Sequence, residues 1–202
     1  MRALLAAAPI FCAILAAPAT AEGLATAWTG TYWGERPEAV QRQLGARGFA
    51  LPQPIDFGDS YAPLVRRDVD VGGVALIVYY QFDKQSHGLK RIQLERPRHR
   101  VNPAAFRAVF LALDADYGAP DAWCGTLPGP TTAYQGTAEY AWSRNGLVIR
   151  AIFRDTTLEA FGGCFSPACG LTAQLLLRIS PPAEDKAACP PLPTGGQLRA
   201  RP

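Results

Sequence analysis

The chain has 202 residues and a net charge of +3, from 20 Lys or Arg and 17 Asp or Glu residues. This length is enough to bury a hydrophobic core, and it is compatible with one domain or with two small domains. Because the charges nearly balance, the composition does not favour DNA or RNA as a partner, and the export signal described next argues further against nucleic acid. The sequence contains no cofactor-binding motif, so no cofactor is expected.

The N-terminus has the three parts of a secretory signal peptide. Arg2 supplies the positive charge, an uncharged apolar run extends from Leu4 to Ala17, and Pro18–Ala21 has the small-residue pattern of a cleavage site. Residues 1–21 are therefore predicted to be removed, and the mature protein is predicted to be periplasmic or secreted. An N-terminal membrane anchor is the alternative, but the apolar run is shorter than the roughly 20 residues that span a bilayer. No later segment predicts a transmembrane helix.

Four cysteines follow the predicted cleavage site: Cys124, Cys164, Cys169 and Cys189. An even number of cysteines in an exported chain predicts two disulfides, for which three connectivities are possible. The turn-rich segment between Cys164 and Cys169 favours that pair, which leaves Cys124 to bind Cys189. A metal site is not expected, because no Cys-x-x-Cys occurs and no His lies near these thiols.

The first half of the chain predicts one short helix and three strands. Pro37 suits the first position of the helix and Gly45 suits its end. A Pro-rich loop is predicted over Leu51–Gly58. Three strands follow, and the middle one is the richest in β-branched and aromatic residues: Tyr61–Val71, Val74–Phe82 and Gly88–Glu95.

The second half predicts a longer helix and three more strands. Asn102 is suited to cap the helix, Pro103 to begin it and Gly118 to end it. Its apolar stripe recurs at spacings of three and four residues, at Phe106, Val109, Phe110, Leu113 and Tyr117. The strands are predicted over Ala133–Ser143, Leu147–Arg154 and Leu171–Ile179, with Asn145-Gly146 as a two-residue hairpin turn.

Each half of the sequence thus predicts a helix followed by about three antiparallel strands. The expected fold class is α+β, with an antiparallel sheet and two helices on one face. The parallel between the halves indicates a tandem α-β-β-β duplication over residues 31–96 and 102–180. Residues 22–182 would then form a single domain, and the Pro- and Gly-rich tail over 183–202 is expected to be mobile except where Cys189 holds it.

Two short motifs carry a resemblance to known proteins. Trp33-Gly34 before a helix that ends at Leu44-Gly45, and the later Tyr117-Gly118-Ala119-Pro120, resemble motifs in small uncharacterised secreted proteins of bacteria. The doubled helix-plus-meander plan also resembles the β-lactamase inhibitor protein and the small outer-membrane assembly lipoproteins. The chain lacks the lipid-bearing cysteine of the lipoproteins. The resemblance implies a sheet surface that binds protein, and it carries over no catalytic residue.

Catalytic signatures are few. His87 lies in a predicted turn and His99 in a basic run, and the chain contains neither a Gly-x-Ser-x-Gly nor a His-Glu-x-x-His motif. The closely spaced carboxylates are Asp56 and Asp59, Asp68 and Asp70, and Asp114 and Asp116. They keep an envelope hydrolase with two carboxylates open as an alternative. The basic residues between Lys90 and Arg100 could face anionic lipid, lipopolysaccharide or an acidic partner.

The strand alternation predicts a polar second face of the sheet, turned away from the helices. The candidate binding residues on this face are Tyr79, Arg91, Arg150, Arg154 and Arg178. Tyr and Arg are enriched among the residues that dominate protein interfaces. We therefore expect a non-enzymatic protein that binds another envelope protein through this face. An ordinary solvated sheet is the simpler interpretation, and a small-ligand carrier would need an apolar cavity between helices and sheet.

Overall fold

The computed structural model describes residues 23–96, 103–125, 136–155 and 173–186. The first half contains one helix and four strands: α1 (Pro37–Leu44), β1 (Phe49–Asp56), β2 (Ser60–Val71), β3 (Val74–Asp83) and β4 (Leu89–Glu95). The second half repeats that order: α2 (Pro103–Tyr117), β5 (Ala122–Cys124), β6 (Gly136–Arg144), β7 (Leu147–Asp155) and β8 (Ala173–Ser180). Short 3₁₀ helices lie at Leu24–Ala27, Gly45–Arg47 and Pro182–Glu184.

Several predicted features lie outside the described residues. They are the signal peptide over 1–21, His99, the helix cap Asn102, the tail beyond residue 186, and Cys164, Cys169 and Cys189. Cys124 lies on β5 and is disulfide-bonded. Which cysteine it binds stays a prediction. In the described ranges, neither helix has the length and apolar character needed to cross a membrane.

The eight strands form one antiparallel sheet in the order β1-β2-β3-β4-β8-β7-β6-β5. Each half is therefore a helix followed by a four-stranded meander, and the two meanders join where β4 pairs with β8. In that pairing Ile92 lies opposite Ile179 and Leu94 lies opposite Leu177. The α+β class and the antiparallel sheet with two helices, predicted from the sequence, are confirmed.

The prediction of a loop over Leu51–Gly58 was wrong, because β1 occupies Phe49–Asp56. Pro52 and Pro54 argued against a strand, since proline cannot donate to a strand ladder. The strand forms because β1 is the edge of the sheet, where N–H groups on its outer side need no partner strand. The register also shifts between Ala50 and Ile55, which places both prolines in the irregular stretch. The short strand β5 at the other edge was missed as well, because three residues carry too little pattern.

The helices and one face of the sheet share a single apolar core. On β3 the side chains alternate as predicted, so that Leu76, Val78, Tyr80 and Phe82 are buried in this core. Side chains of β2, β4, β6, β7 and β8 add to it, and both helices contribute Val40, Leu44, Phe106, Val109, Phe110 and Leu113. Because α1 and α2 pack into the same cluster, both helices lie on the same side of the sheet.

A fully buried arginine on β2 holds the N-terminal segment against this core. Arg66 lies opposite Val78 and has no exposed surface. Its guanidinium pairs with Asp68 and donates from Nη1 to the carbonyl of Thr26 at 2.8 Å. The hydroxyl of Tyr80 donates to the carbonyl of Ala27 at 2.9 Å, and burial raises the pKa of Tyr80 to about 12. The 3₁₀ helix at Leu24–Ala27 is therefore attached to the sheet by polar contacts that are protected from water.

Two turns are specified by residues that tolerate positive φ. Asn145 and Gly146 have φ of 52° and 75°, as expected for the predicted two-residue hairpin between β6 and β7. Gly72, in the β2–β3 turn, has φ of 63°, and a Cβ there would lie 2.5 Å from the carbonyl oxygen of Ala108 on α2. The close approach of this turn to α2 therefore requires glycine.

The burial of α2 can be tested at two neighbouring positions. Phe110 is 4% exposed and its ring centroid lies 4.6 Å from that of Tyr140, whereas Leu111 is 46% exposed. We expect Phe110→Ala to lower the free energy of unfolding by about 3–5 kcal/mol, because it leaves a cavity in the core. Leu111→Ala should change it by less than about 0.5 kcal/mol. Urea denaturation measures both, and equal losses would contradict the packing described.

Candidate functional site

The face of the sheet opposite the helices, here called the far face, brings most of the predicted binding residues together. Tyr79 lies opposite Gln93, Gln93 opposite Arg178, and Arg178 opposite Arg150. Directly opposed residues of an antiparallel sheet share a face, so these four side chains form one row across β3, β4, β8 and β7. Arg91 is two residues from Gln93 on β4 and belongs to the next row.

Arg154 is the fifth predicted residue, and it lies farther along β7. Its register partners are Gln174 on β8 and Thr137 on β6. It lies four positions beyond Arg150 on the same strand. The sequence predicted that the five residues share one face, and the register places Tyr79, Arg178 and Arg150 in one row.

The arginines of the far face form polar contacts within the chain. Arg91 donates from Nη2 to the carboxylate of Asp59 at 3.0 Å, and its side chain is only 9% exposed. Arg178 donates from Nε to the side-chain carbonyl of Gln93 at 3.0 Å. Arg150 pairs with both Glu139 and Asp185. These arginines are therefore engaged in contacts within the chain, whereas an arginine that is available to a partner would face solvent.

Arg150 has the best-developed set of partners. It binds Asp185 through two nitrogens, with 2.6 Å between Nη2 and Oδ2, and Nη1 contacts the carboxylate of Glu139 on β6. The hydrogen bonds from Arg150 to Asp185, together with the charges of Asp185 and Glu139, outweigh desolvation and raise the pKa of the Arg150 guanidinium. Glu139 is 2% exposed, so a cation beside it offsets the cost of burying its charge.

Residues 181–186 follow β8 and lie on the far face, and they are called the strap below. Asp185 binds Arg150, Glu184 lies 3.5 Å from the Nζ of Lys90, and Lys186 donates to Asp59 at 3.1 Å. The strap thus links β7 to β4 and to the turn between β1 and β2. The sequence did not indicate these contacts, because Pro181-Pro182 predicts only the end of a strand.

Asp59 is the centre of a second group of charges. Burial alone would raise the pKa of its carboxyl, but the hydrogen bond from Lys186 and the charges of Arg91, Lys90 and Lys186 lower it to about 2. Lys90 is the unpaired residue at a bulge of β4, and it also lies 3.1 Å from Asp83. Asp59 is therefore ionised at neutral pH and is surrounded by cations.

Two buried donors next to Asp59 have no acceptor among the described residues. They are Nε of Arg91 and Nε2 of Gln81, which lie on directly opposed residues of β3 and β4. Gln81 is 1% exposed, and its carbonyl oxygen accepts from the Ser60 hydroxyl at 3.2 Å. A buried donor without an acceptor costs about 1–3 kcal/mol, so this part of the face can gain from an added acceptor.

The other part of the far face is aromatic and accessible. Tyr79 is half-buried, its ring meets Phe57 edge-on with centroids 5.8 Å apart, and Ile77 lies two residues away on the same strand. Phe49 lies opposite Val65, which in turn lies opposite Tyr79, and Phe49 is 52% exposed. Phe49, Phe57, Ile77 and Tyr79 are called the Tyr79 patch below.

Charged residues flank the Tyr79 patch. Burial, with a smaller contribution from Glu95, raises the pKa of Tyr79, although the charge of Arg67 opposes this. The phenol therefore stays protonated and can donate a hydrogen bond. Within the described ranges its hydroxyl has no hydrogen-bond partner, so a docked molecule could supply one.

The residues considered for catalysis each form contacts typical of turns and surface ion pairs. His87 has φ of 58° in the β3–β4 turn, and its Nδ1 lies 3.0 Å from the hydroxyl of Tyr61. Asp56 binds Lys84 at 2.7 Å, whereas Asp70 accepts from the backbone of Gly73 at 2.8 Å in a turn. Among the described residues no group of three or more His, Cys, Asp or Glu side chains could hold a metal ion.

No protein-family model, curated protein or solved structure matches the chain. The two parts of the far face differ in what they offer a partner: the strap side is occupied by internal ion pairs, whereas the Tyr79 patch presents aromatic surface to solvent.

The charge group around Asp59 predicts a pH-dependent contribution to stability. A carboxyl whose pKa is about 2 in the folded chain and about 4 in the unfolded chain stabilises the fold above about pH 5. This stabilisation is lost as the pH falls from about 4 to 2. We expect wild type to be more stable than Asp59→Asn at pH 7, and the difference to shrink toward pH 2. Urea unfolding from pH 7 to pH 2 measures it, and a constant difference would contradict the ion pairing.

The pairing of Arg150 with buried Glu139 predicts a large effect on stability. Arg150→Met removes a cation from Glu139 and should lower the free energy of unfolding by about 3 kcal/mol. Adding Glu139→Gln to that variant should recover part of the loss, because the buried charge is then gone. A double-mutant cycle measures this coupling. Additive losses would show that the two side chains do not interact.

Proposed function

We propose that this chain is an exported protein of the cell envelope, periplasmic or secreted, that binds another protein through the Tyr79 patch without catalysing a reaction. Export is supported by Arg2, the apolar run and the Pro18–Ala21 pattern. The disulfide at Cys124 suits an oxidising compartment. The proposal includes two disulfides, Cys124–Cys189 and Cys164–Cys169.

The observation that carries the proposal is the environment of Tyr79. Its ring packs edge-on against Phe57, while its hydroxyl has no partner among the described residues. An aromatic side chain that is already ordered loses little conformational entropy on binding, and its hydroxyl adds a directed hydrogen bond. Arg67 and Glu95 on either side could fix the orientation of a partner by complementary charge.

The architecture gives further support. Each half has the order helix then four antiparallel strands, and the halves meet at β4 and β8. We propose that they arose as a tandem duplication over residues 31–96 and 102–180. This doubled plan resembles the β-lactamase inhibitor protein and the small outer-membrane assembly lipoproteins, a likeness that also favours a sheet surface that binds protein.

The carboxyls favour binding over catalysis. In the described ranges Asp56, Asp59, Asp68 and Asp83 have pKa values shifted clearly from the usual range, and all four are lowered. Hydrogen bonds and nearby cations cause these shifts. A carboxyl that serves as a general acid needs a raised pKa instead. The lowered values fit residues that hold the structure together through ion pairs.

The proposal is tested by photo-crosslinking from two tyrosine positions in the natural host. A photoreactive phenylalanine analogue at position 79 should form a covalent adduct with one envelope protein. The same analogue at position 32 serves as the control, because Tyr32 is 68% exposed but lies outside the Tyr79 patch. Once the adduct identifies the partner, Tyr79→Ala should weaken its affinity about 30-fold, as expected for a residue that dominates an interface.

Two outcomes would contradict the proposal. Adducts of equal yield and identity from positions 79 and 32 would show non-specific contact. An unchanged affinity in Tyr79→Ala, with Tyr32→Ala also unchanged, would show that the partner binds elsewhere. Tyr79 is only half-buried, so the variant is expected to fold, and circular dichroism confirms this before affinity is measured.

A further inference from the structure

We propose that the strap occupies a carboxylate-binding site on the far face, and that the protein partner binds there with an acidic segment that replaces Glu184 and Asp185. This inference rests on the proposed function, because it names the chemistry of a second contact with the same partner. The site consists of Lys90, Arg91 and Arg150, together with Gln81.

The positively charged side chains of this site are placed so that they can bind carboxylates. The side chains of Lys90, Arg91 and Arg150 are between 9% and 13% exposed, although each carries a full charge. Their ion-pair partners in the described chain are Asp59, Asp83, Glu139, Glu184 and Asp185. Arg150 meets Asp185 with two nitrogens, the planar geometry that favours a carboxylate.

The strap is partly exposed and carries three charged side chains. Pro182, Ala183 and Lys186 are exposed, and Pro181, Glu184 and Asp185 are only partly covered. Its charged side chains Glu184, Asp185 and Lys186 each form an ion pair with the body of the protein. Glu184 and Lys186 are 38% and 65% exposed, so their ion pairs contribute little net stability. The more buried Arg150–Asp185 pair has to offset the cost of desolvating both charges, so an external carboxylate segment can compete with the strap.

The strap also leaves donors of the site unused. Nε of Arg91 and Nε2 of Gln81 are buried without an acceptor among the described residues. They adjoin Asp59, which Arg91 and Lys186 both bind. A partner segment with more carboxylate oxygens than the strap could satisfy these donors and would then bind more tightly than the strap does.

The site is continuous with the Tyr79 patch. The row that contains Tyr79 runs through Gln93 and Arg178 to Arg150, so a single partner crossing four strands can contact the patch and the site together. Strand spacing of about 4.8 Å makes this row roughly 14 Å long, which lies within the dimensions of a standard protein interface.

The test uses a fluorescent peptide with the sequence of residues 181–186 and measures its anisotropy with the full-length chain. The wild-type chain should bind it weakly, because its own strap competes at a high effective concentration. A chain carrying Glu184→Gln and Asp185→Asn should bind it at least tenfold more tightly. Adding Lys90→Gln or Arg150→Gln to that chain should abolish the gain, and using both guards against one variant failing to fold.

A control peptide with Gln and Asn in place of its two acidic residues should not bind. Equal affinity of the wild-type and strap-substituted chains for the acidic peptide would overturn the proposal, as would equal binding of the control peptide. Vesicles of phosphatidylglycerol that bind the strap-substituted chain and exclude the peptide would assign the site to a lipid phosphate and likewise overturn it.

The peptide measurement is independent of the Tyr79 patch. Peptide binding should be the same in chains with and without Tyr79→Ala, because the peptide reproduces only the strap. Failure of peptide binding with a retained crosslink at position 79 would reject the carboxylate site alone. Peptide binding without any crosslink would reject the proposed function and the partner's use of this site. It would still support a carboxylate site that the strap occupies within the chain.

Discussion

The pairing of β4 with β8 is the contact on which the rest of the structure depends. Each half of the chain is a meander that could bury only one side of its strands against one helix. When Ile92 and Leu94 meet Ile179 and Leu177, two four-stranded sheets become one, and the two helices cover a single apolar face. The same pairing joins the outer sides of β3 and β4 to those of β8 and β7. One long-range contact thus creates both the core and the far face.

Burial of arginine is the second constraint. A buried guanidinium needs carboxylate or carbonyl partners, since desolvation is costly. Arg66 donates a hydrogen bond to the carbonyl of Thr26 and thereby attaches the N-terminal segment on the helix side of the sheet. Arg150 pairs with Asp185 and attaches the strap on the opposite side. The N-terminal segment also buries Leu24 and Ala27 in the core, whereas the strap is partly exposed. The strap is therefore the more sensitive of the two to competing ions.

These two constraints divide the far face into regions with different uses. Around Arg150 and Asp59 the face is filled by internal ion pairs, so a partner must displace something to bind there. Around Tyr79 the aromatic surface is accessible and its hydroxyl is available. A partner that first contacts the Tyr79 patch and then exchanges carboxylates with the strap would use both regions. Such a two-part contact joins aromatic burial with charge-dependent selectivity.

The local pattern of the sequence determined α2, with its stripe from Phe106 to Tyr117, the alternation of β3 and the Asn145-Gly146 turn, because each depends on residues within a few positions. It also assigned Tyr79 and the arginines to one face, since strand side chains alternate. Only the tertiary structure decided that β1 forms through its prolines, because that depends on being an edge. It also decided that Arg91 meets Asp59 across 32 positions and that Arg150 meets Asp185 across 35. Such ion pairs are set by strand order and register, which no local periodicity encodes.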